Sequence, residues 1–261
     1  MHSNFTLGDT MKISKEQKES NRRAIINAMV DLVTTQGFKA ATMKMIARQS
    51  GLGDATIYNY FPTKEAILFG YYTDHFAACI QQLKTVADLN TYTLQEQIQT
   101  FFETSFDLYQ GDREFVALTF KQVFFSYSQT YKLVKPIRVS FTAIIRDMVE
   151  AAVEVGEIPD QVFQEIIVQL FMDFYIAMTA YWIADRSDGF NDTTILMDKS
   201  LGLAMAMLKA GIANKILDIT VFLFRTHVLN NLGGVKAGME AMGSIKRNFM
   251  EASHAGDDPH R

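Results

Sequence analysis

Apolar side chains recur at three- and four-residue spacing through almost the whole of this 261-residue chain. Near the front, Ile25, Met29, Leu32, Val33 and Gln36 form one stripe of an amphipathic helix. Gly37 stands where that helix should stop. Thr42 then offers a hydroxyl to cap a second helix, MKMIARQS, with Met43, Ile46 and Ala47 as its inward face. A third, very short helix is expected from Gly53 or Asp54 through Asn59. Phe61-Pro62 closes it, and Thr63 caps a fourth helix over about 64–87. Further helices are predicted at about 93–109, 112–129, 134–155, 160–185, 191–211, 213–231 and 235–252, broken clearly at VGEIPD and DRSDGFND. No alternating runs bounded by hairpin turns occur, so strands are not expected. The chain therefore reads as all-α.

The stretch SGLGDATIYNYFPTKEA, residues 50–66, joins the second, third and fourth helices within a few residues. Helix, glycine-containing turn and helix make a helix-turn-helix unit. Gly51 supplies the positive φ that a side chain resists, and small Ala47 lets the two helices approach. Tyr60 and Phe61 are read as core anchors.

Charge sharpens this picture. Residues 12–70 carry nine basic and five acidic side chains, although the whole chain has a formal charge of −4. A cationic front on an acidic body points to a polyanionic partner. Hydrophobic residues at 48 % support a sizeable core, and 21 % charged residues argue against disorder. One cysteine, Cys79, cannot form an internal bridge and suits a reducing, cytoplasmic setting. No secretory leader is expected. The apolar run from Ile166 to Ala184 has nearly the length of a membrane span. It also contains Gln169 and Asp173, and is read as a buried or dimer-forming helix, with no membrane partner.

Catalytic patterns are missing: there is no phosphate loop, no Gly-x-Ser-x-Gly and no His-Glu-x-x-His. His75 and Cys79 lie four residues apart on one helix face, but two ligands do not make a metal site. No enzyme activity, cofactor or metal is expected.

Residues 21–68 carry a family signature: helix–Gly–Phe, Thr42, Ile46-Ala47, Gly51, Thr56-Ile57-Tyr58 and Tyr60-Phe61-Pro62-Thr63-Lys64-Glu65. This stretch closely resembles the DNA-binding domain of TetR-type transcriptional repressors. The rest resembles the family only in being helical. Gly53 and Asp54 depart from the serine and basic or polar residue that commonly open the third helix. The resemblance implies a three-helix helix-turn-helix domain at 12–62, a helical effector-binding and dimerisation domain at 63–252, and flexible ends at 1–11 and 253–261. It implies that Ala55 and Thr56 face bases and backbone, that Tyr58 reaches a phosphate through its hydroxyl, and that Asn59 contacts phosphate or a base. Thr42, Met43 and Lys44 at the second helix and Lys64 at the fourth would lie against phosphates, while Asp54, a departure from the pattern, either accepts from a cytosine amino group or sits only in the cap region, where it repels phosphate.

A homodimer reading a pseudo-palindromic operator follows from the resemblance. Its interface is expected on the helices near 160–185 and 191–211, through Phe171, Tyr181, Trp182, Leu201, Ala204, Met205 and Leu208. Phe102, Phe106, Tyr109, Phe124, Tyr127, Phe174, Tyr175 and Met178 are expected to line a pocket for a small hydrophobic or aromatic effector, with Asp107, Gln122 and Asp173 as polar anchors. The fourth helix would carry the ligand's effect to the DNA head. The competing reading is an all-helical lipid-binding or scaffolding protein that has lost DNA binding.

Overall fold

The computed structural model describes residues 14–125 and 131–223. Among these residues every regular element is helical. The chain order is α1 (Lys15–Gln36), α2 (Met43–Gln49), α3 (Asp54–Tyr60), α4 (Lys64–Leu83), α5 (Leu94–Tyr109), α6 (Arg113–Phe124), α7 (Tyr131–Glu154), α8 (Gln164–Ala184), α9 (Asn191–Lys209) and α10 (Ile212–Leu223). α4 ends at Leu83, four residues earlier than its pattern suggested, and α6 ends at Phe124. The expected helix at 235–252, residue Tyr127 and both expected flexible ends lie outside the described residues.

Local chemistry sets the boundaries. Ser14, Thr42, Thr63 and Thr93 each accept a backbone N–H from the first turn of the helix that follows, and Thr93 with Glu96 forms a reciprocal capping box. Gly51 takes φ 72° between α2 and α3, the conformation that the turn requires and that a side chain resists.

Two units are distinguishable. One comprises the chain up to Ile158 together with Gln164–Ala206; the other comprises Pro159–Phe163 with the chain from Met207 onward. Within the first, α1, α2 and α3 bury Ile25, Met29, Val33, Ile46, Ala47 and Ile57 against one another. Each larger aliphatic among them contributes about 1.5–3 kcal/mol. α4 packs against α1 on one side and against α5 and α7 on the other. α8 has the length and apolarity of a membrane span. One of its faces nevertheless enters the core through Val168, Phe171, Met172, Tyr175, Met178 and Trp182. Within the second unit, Asn214 on α10 accepts from the Val162 N–H at 3.2 Å and donates to the Asp160 carbonyl at 2.8 Å.

The junction of α4 with the head is close. A Cβ placed on Gly70 would fall 2.7 Å from the Phe61 ring. The Arg22 guanidinium lies over that ring at 5.4 Å and pairs with Asp74, one turn further along α4. Gly70→Ala is expected to lower unfolding stability by about 1–3 kcal/mol, because the buried ring must move. A Cβ at Gly111 meets nothing within 4 Å, so Gly111→Ala should change stability by no more than about 0.5 kcal/mol. Denaturant titration followed by circular dichroism measures both.

Candidate nucleic-acid interface and ligand core

α3 lies on the surface. Only Ile57 is fully buried; Asp54, Ala55, Tyr58 and Asn59 face outward, Tyr58 with 54 % of its surface exposed, and Thr56 is half-buried. Gly53 caps the helix by backbone conformation, with no side-chain bond. Asn21 on α1 donates to the Tyr60 hydroxyl at 3.0 Å, which fixes the far end of α3. Beside it, Thr42 and Lys44 are exposed at the start of α2, and Met43 is half-buried. The Thr42 hydroxyl is engaged as a cap by the Met45 N–H at 3.3 Å, leaving its O–H proton free to donate. The structure thus brings all the expected contact residues on α2 and α3 to one small head.

Lys64 differs from expectation. Its ammonium donates to the Phe38 carbonyl at 2.7 Å and the Ala41 carbonyl at 2.9 Å, and it sits 4.4 Å from the Phe38 ring centre. Two of its three donors are therefore committed to the loop before α2. Lys64 positions the α2 N-terminus rather than standing free as a phosphate clamp. Nothing in the local sequence announced this, because the carbonyls it satisfies belong to a loop more than twenty residues away.

Most of the expected effector residues gather in the core. Phe102, Phe106, Tyr109, Tyr175 and Met178 are buried with Phe76, Phe101 and Phe141 in one ring cluster. Tyr175 lies 5.0 Å from Phe102, 5.1 Å from Phe141 and 5.7 Å from Phe76. Phe124 is half-buried against Tyr72, and Phe174 against Phe102. Asp107 and Asp173, proposed as inner anchors, are exposed, and Gln122 is half-buried. Such rings prefer each other's faces and edges to emptiness. A small cavity of ≈ 70 Å³ opens beside Phe106, Trp182 and Met197. A larger cleft of ≈ 510 Å³ lies elsewhere, along Ile80, Leu83, Leu89, Ile144 and Met148.

Within the ring cluster runs a polar thread that the sequence reading did not single out. His75 Nε2 and Ser105 Oγ share a 2.7 Å hydrogen bond, and Ser105 Oγ and the Tyr175 hydroxyl share one of 2.6 Å. The His75 ring stacks on Tyr109 at 3.5 Å, whose hydroxyl is buried close to Tyr175. Tyr72 and Thr119 share a further bond of 2.7 Å. Burial pulls His75 down to about 3 and pushes Cys79 up to about 12, so the interior offers only neutral donors and acceptors. The available signal was Ser105, a polar residue within the apolar stripe of α5.

The α8–α9 corner is also built from polar groups. Asp185 accepts from the N–H and hydroxyl of both Ser187 and Thr193, at 2.6–2.9 Å. These donors, the Thr193 hydroxyl foremost, hold its carboxyl well below the usual range. The Arg113 guanidinium donates to the carbonyls of Trp182, Ile183 and Asp185 at the end of α8. It also lies against the Trp182 and Phe190 rings.

The expected interface residues need correction here. Phe171, Trp182, Leu201 and Met205 are buried within the protomer, filling the corner's own core, while Ala204 and Leu208 are half-buried. Tyr181 alone of the expected set is exposed. The apolar residues open to solvent are instead Ile166 and Leu170 on α8 and Ile195, Leu203 and Met207 on α9, with Leu170 59 % and Leu203 65 % exposed. Four of the seven thus face inward, because α8 and α9 are apolar on more than one side.

Family models match the two parts of the chain. Residues 25–70 match the bacterial regulatory proteins of the tetR family, and residues 97–223 match the tetracyclin repressor-like C-terminal domain. The chain belongs to the TetR family of transcriptional regulators. It is accordingly a ligand-responsive transcription regulator, with a DNA-binding head and a ligand-binding C-terminal domain. Among TetR relatives, the fatty acid metabolism regulator protein of Bacillus subtilis is 24 % identical over 200 residues, spanning 77 % of this chain and 100 % of that protein. The fatty acid degradation regulator FadR from Bacillus halodurans shares the fold with a TM-score of 0.59 at 18 % identity, covering 72 % of this chain and 96 % of its own. FadR from Bacillus subtilis, solved in complex with stearoyl-CoA, gives 0.56 at 20 % identity, covering 72 % and 98 %.

Buried neutral His75 has a consequence for pH. In the unfolded chain it titrates near its ordinary value, so below about 6.5 the unfolded state binds a proton that the native state refuses until about 3. Stability contributed by the neutral ring is complete above that range and is lost as pH falls through it. Its loss should approach about 1.4 kcal/mol per pH unit. Urea titrations of the wild type and His75→Gln between neutral and mildly acidic pH check this; the variant should lack that slope.

Proposed function

We propose that this regulator is a repressor which binds a pseudo-palindromic operator as a homodimer and is released by an effector with a long apolar tail. The observation that carries the DNA reading is the outward set Ala55, Tyr58 and Asn59 on α3, held at both ends by α1 and α2. A helix of this size enters the major groove with its first residues near base edges. Lys44 and the Tyr58 hydroxyl meet phosphates, and Asp54 at the groove floor favours a cytosine amino group over any phosphate.

One head reads few bases, so two must act together, with half-sites roughly 34–36 Å apart or a multiple of that. The exposed apolar faces of α8 and α9 supply the surface for a symmetric four-helix contact. For the effector, relatedness to a fatty acid metabolism regulator and fold likeness to a protein solved with stearoyl-CoA favour an acyl chain. The neutral interior fits that choice, since among the described residues the ring cluster holds hydroxyls and an imidazole able to meet an ester carbonyl.

The switch would run through α4. Its first turn holds the loop before α2 through Lys64, its middle carries the Gly70–Phe61 contact, and its second half places His75 and Phe76 in the ring cluster. A tail that separates these rings displaces α4, and with it the distance between the two heads. Such a ligand acts by preferring one arrangement of the body. The protein would work in the cytoplasm, where operator and effector meet.

Selection of bound sequences from random duplexes should return an inverted repeat; a unique non-repeated motif would defeat the dimeric reading. On the selected operator, Tyr58→Phe should weaken binding roughly tenfold by losing one bond to a charged group. Lys44→Ala should reduce the salt slope by about one with no change in stability, whereas Lys64→Ala should lower the stability of the head as well. For the assembly, Leu170→Glu with Leu203→Glu should give a folded monomer in analytical ultracentrifugation that no longer retards the operator.

A further inference from the structure

α10 leaves a row of apolar side chains open to solvent. Asn214, in its first turn, is tied to the stretch before α8 through the Val162 N–H and the Asp160 carbonyl. On the opposite side of the helix, Ile212, Ile216 and Ile219 recur at four- and three-residue spacing, and Phe222 prolongs the row. Ile216, Ile219 and Phe222 are each more than half exposed. A row of this kind left open marks a place where something docks. Lys215 and Asp218 lie on the same helix, and neither is ion-paired among the described residues.

Residues 224–261 follow α10 and lie outside the described residues, but their sequence carries a second row. Across 235–252, the periodicity that predicts a helix puts Val235, Met239, Met242, Ile245 and Phe249 on one side and Lys236, Glu240, Ser244, Arg247 and Glu251 on the other. Between the two rows stands Asn230-Asn231-Leu232-Gly233-Gly234, a run of turn-forming residues. Counted outward from Leu232-Gly233, Ile216 is level with Phe249, Ile219 with Ile245 and Phe222 with Met242, each to within about one residue. The same count brings Lys215 level with Glu251, and Asp218 with Lys246 and Arg247. Apolar row meets apolar row and each charge meets its opposite in one antiparallel register.

We propose that residues 235–252 of the same chain fold back on α10 and cover its Ile216–Ile219–Phe222 row, making a C-terminal helical hairpin. A short connection, here at longest 224–234, makes consecutive helices antiparallel neighbours, and closing so short a loop costs little entropy. A membrane surface selects helices with a strongly basic polar face, whereas 235–252 sets Lys236, Lys246 and Arg247 against Glu240 and Glu251. The hairpin withholds α10 from second copies of the chain and leaves assembly to the exposed faces of α8 and α9.

Disulfide trapping in the full-length protein is the test. Ile219→Cys/Ile245→Cys joins two positions of the shared register, and Ile219→Cys/Ser244→Cys is the control, with its second thiol on the other side of the expected helix. Native Cys79 is buried. After mild oxidation, non-reducing electrophoresis should show the first pair linked within single chains, at a yield at least about tenfold above the control. Dimer-mass bands as the main product assign the cover to a second copy, and equal yields in the two pairs leave the row uncovered by this segment; either result overturns the proposal. Hydrogen exchange gives a readout that needs no cysteine. Ile245→Glu/Phe249→Glu should raise exchange across 216–223, while Glu240→Gln, on the polar side, should not; unchanged exchange in the first variant also overturns it. Co-sedimentation of the wild type with phosphatidylglycerol vesicles, abolished by Ile245→Glu/Phe249→Glu, assigns the row to a membrane surface and rejects the hairpin.

Discussion

The contact between Gly70 and Phe61 is the constraint on which the rest of this molecule depends. Phe61 ends the recognition unit, and Gly70 lies two turns into the helix that enters the body. A ring packed against bare backbone leaves no room for adjustment. Arg22 covers the same ring and grips Asp74, so α1, the end of α3 and the middle of α4 are fastened at one point. Head and body thus share α4, which is packed against both. Close-packed interiors transmit strain because they are not continuously deformable.

Much of this was legible in the sequence. The spacing of Ile25, Met29 and Val33, the cap at Thr42, the glycine at 51 and the Phe-Pro-Thr stop defined the head almost to the residue, since each acts through local chemistry. The body was less legible. Its helices are apolar on more than one side, so periodicity located α8 and α9 but not their inward faces, and Trp182, Leu201 and Met205 were placed outside when they are core. Long-range polar contacts were out of reach altogether. Nothing near Lys64 names the carbonyls of Phe38 and Ala41, and nothing near Arg113 names the end of α8.

The ring cluster likewise shows what composition conveys and what it does not. An excess of aromatic residues suggested a pocket, and most of the same residues, once folded, are buried against one another. Aromatic side chains meet edge to face as readily as they meet a ligand. The polar thread of His75, Ser105 and Tyr175 then matters more than the rings. It fixes the orientation of otherwise interchangeable apolar surfaces, and it carries a directional chemistry that packing alone lacks.

Arg113 ties the start of α6 to the α8–α9 corner. By holding the last carbonyls of α8 and lying between Trp182 and Phe190, it welds α6 to the corner where α9 begins. That block also touches α1 through α6. The first turn of α6 and the last turn of α8 are thus joined by one side chain across about seventy residues of sequence. Loss of that one guanidinium would leave the terminal carbonyls of α8 and the Trp182 and Phe190 rings without their common partner, so the corner's integrity is lodged in a residue that belongs to neither α8 nor α9.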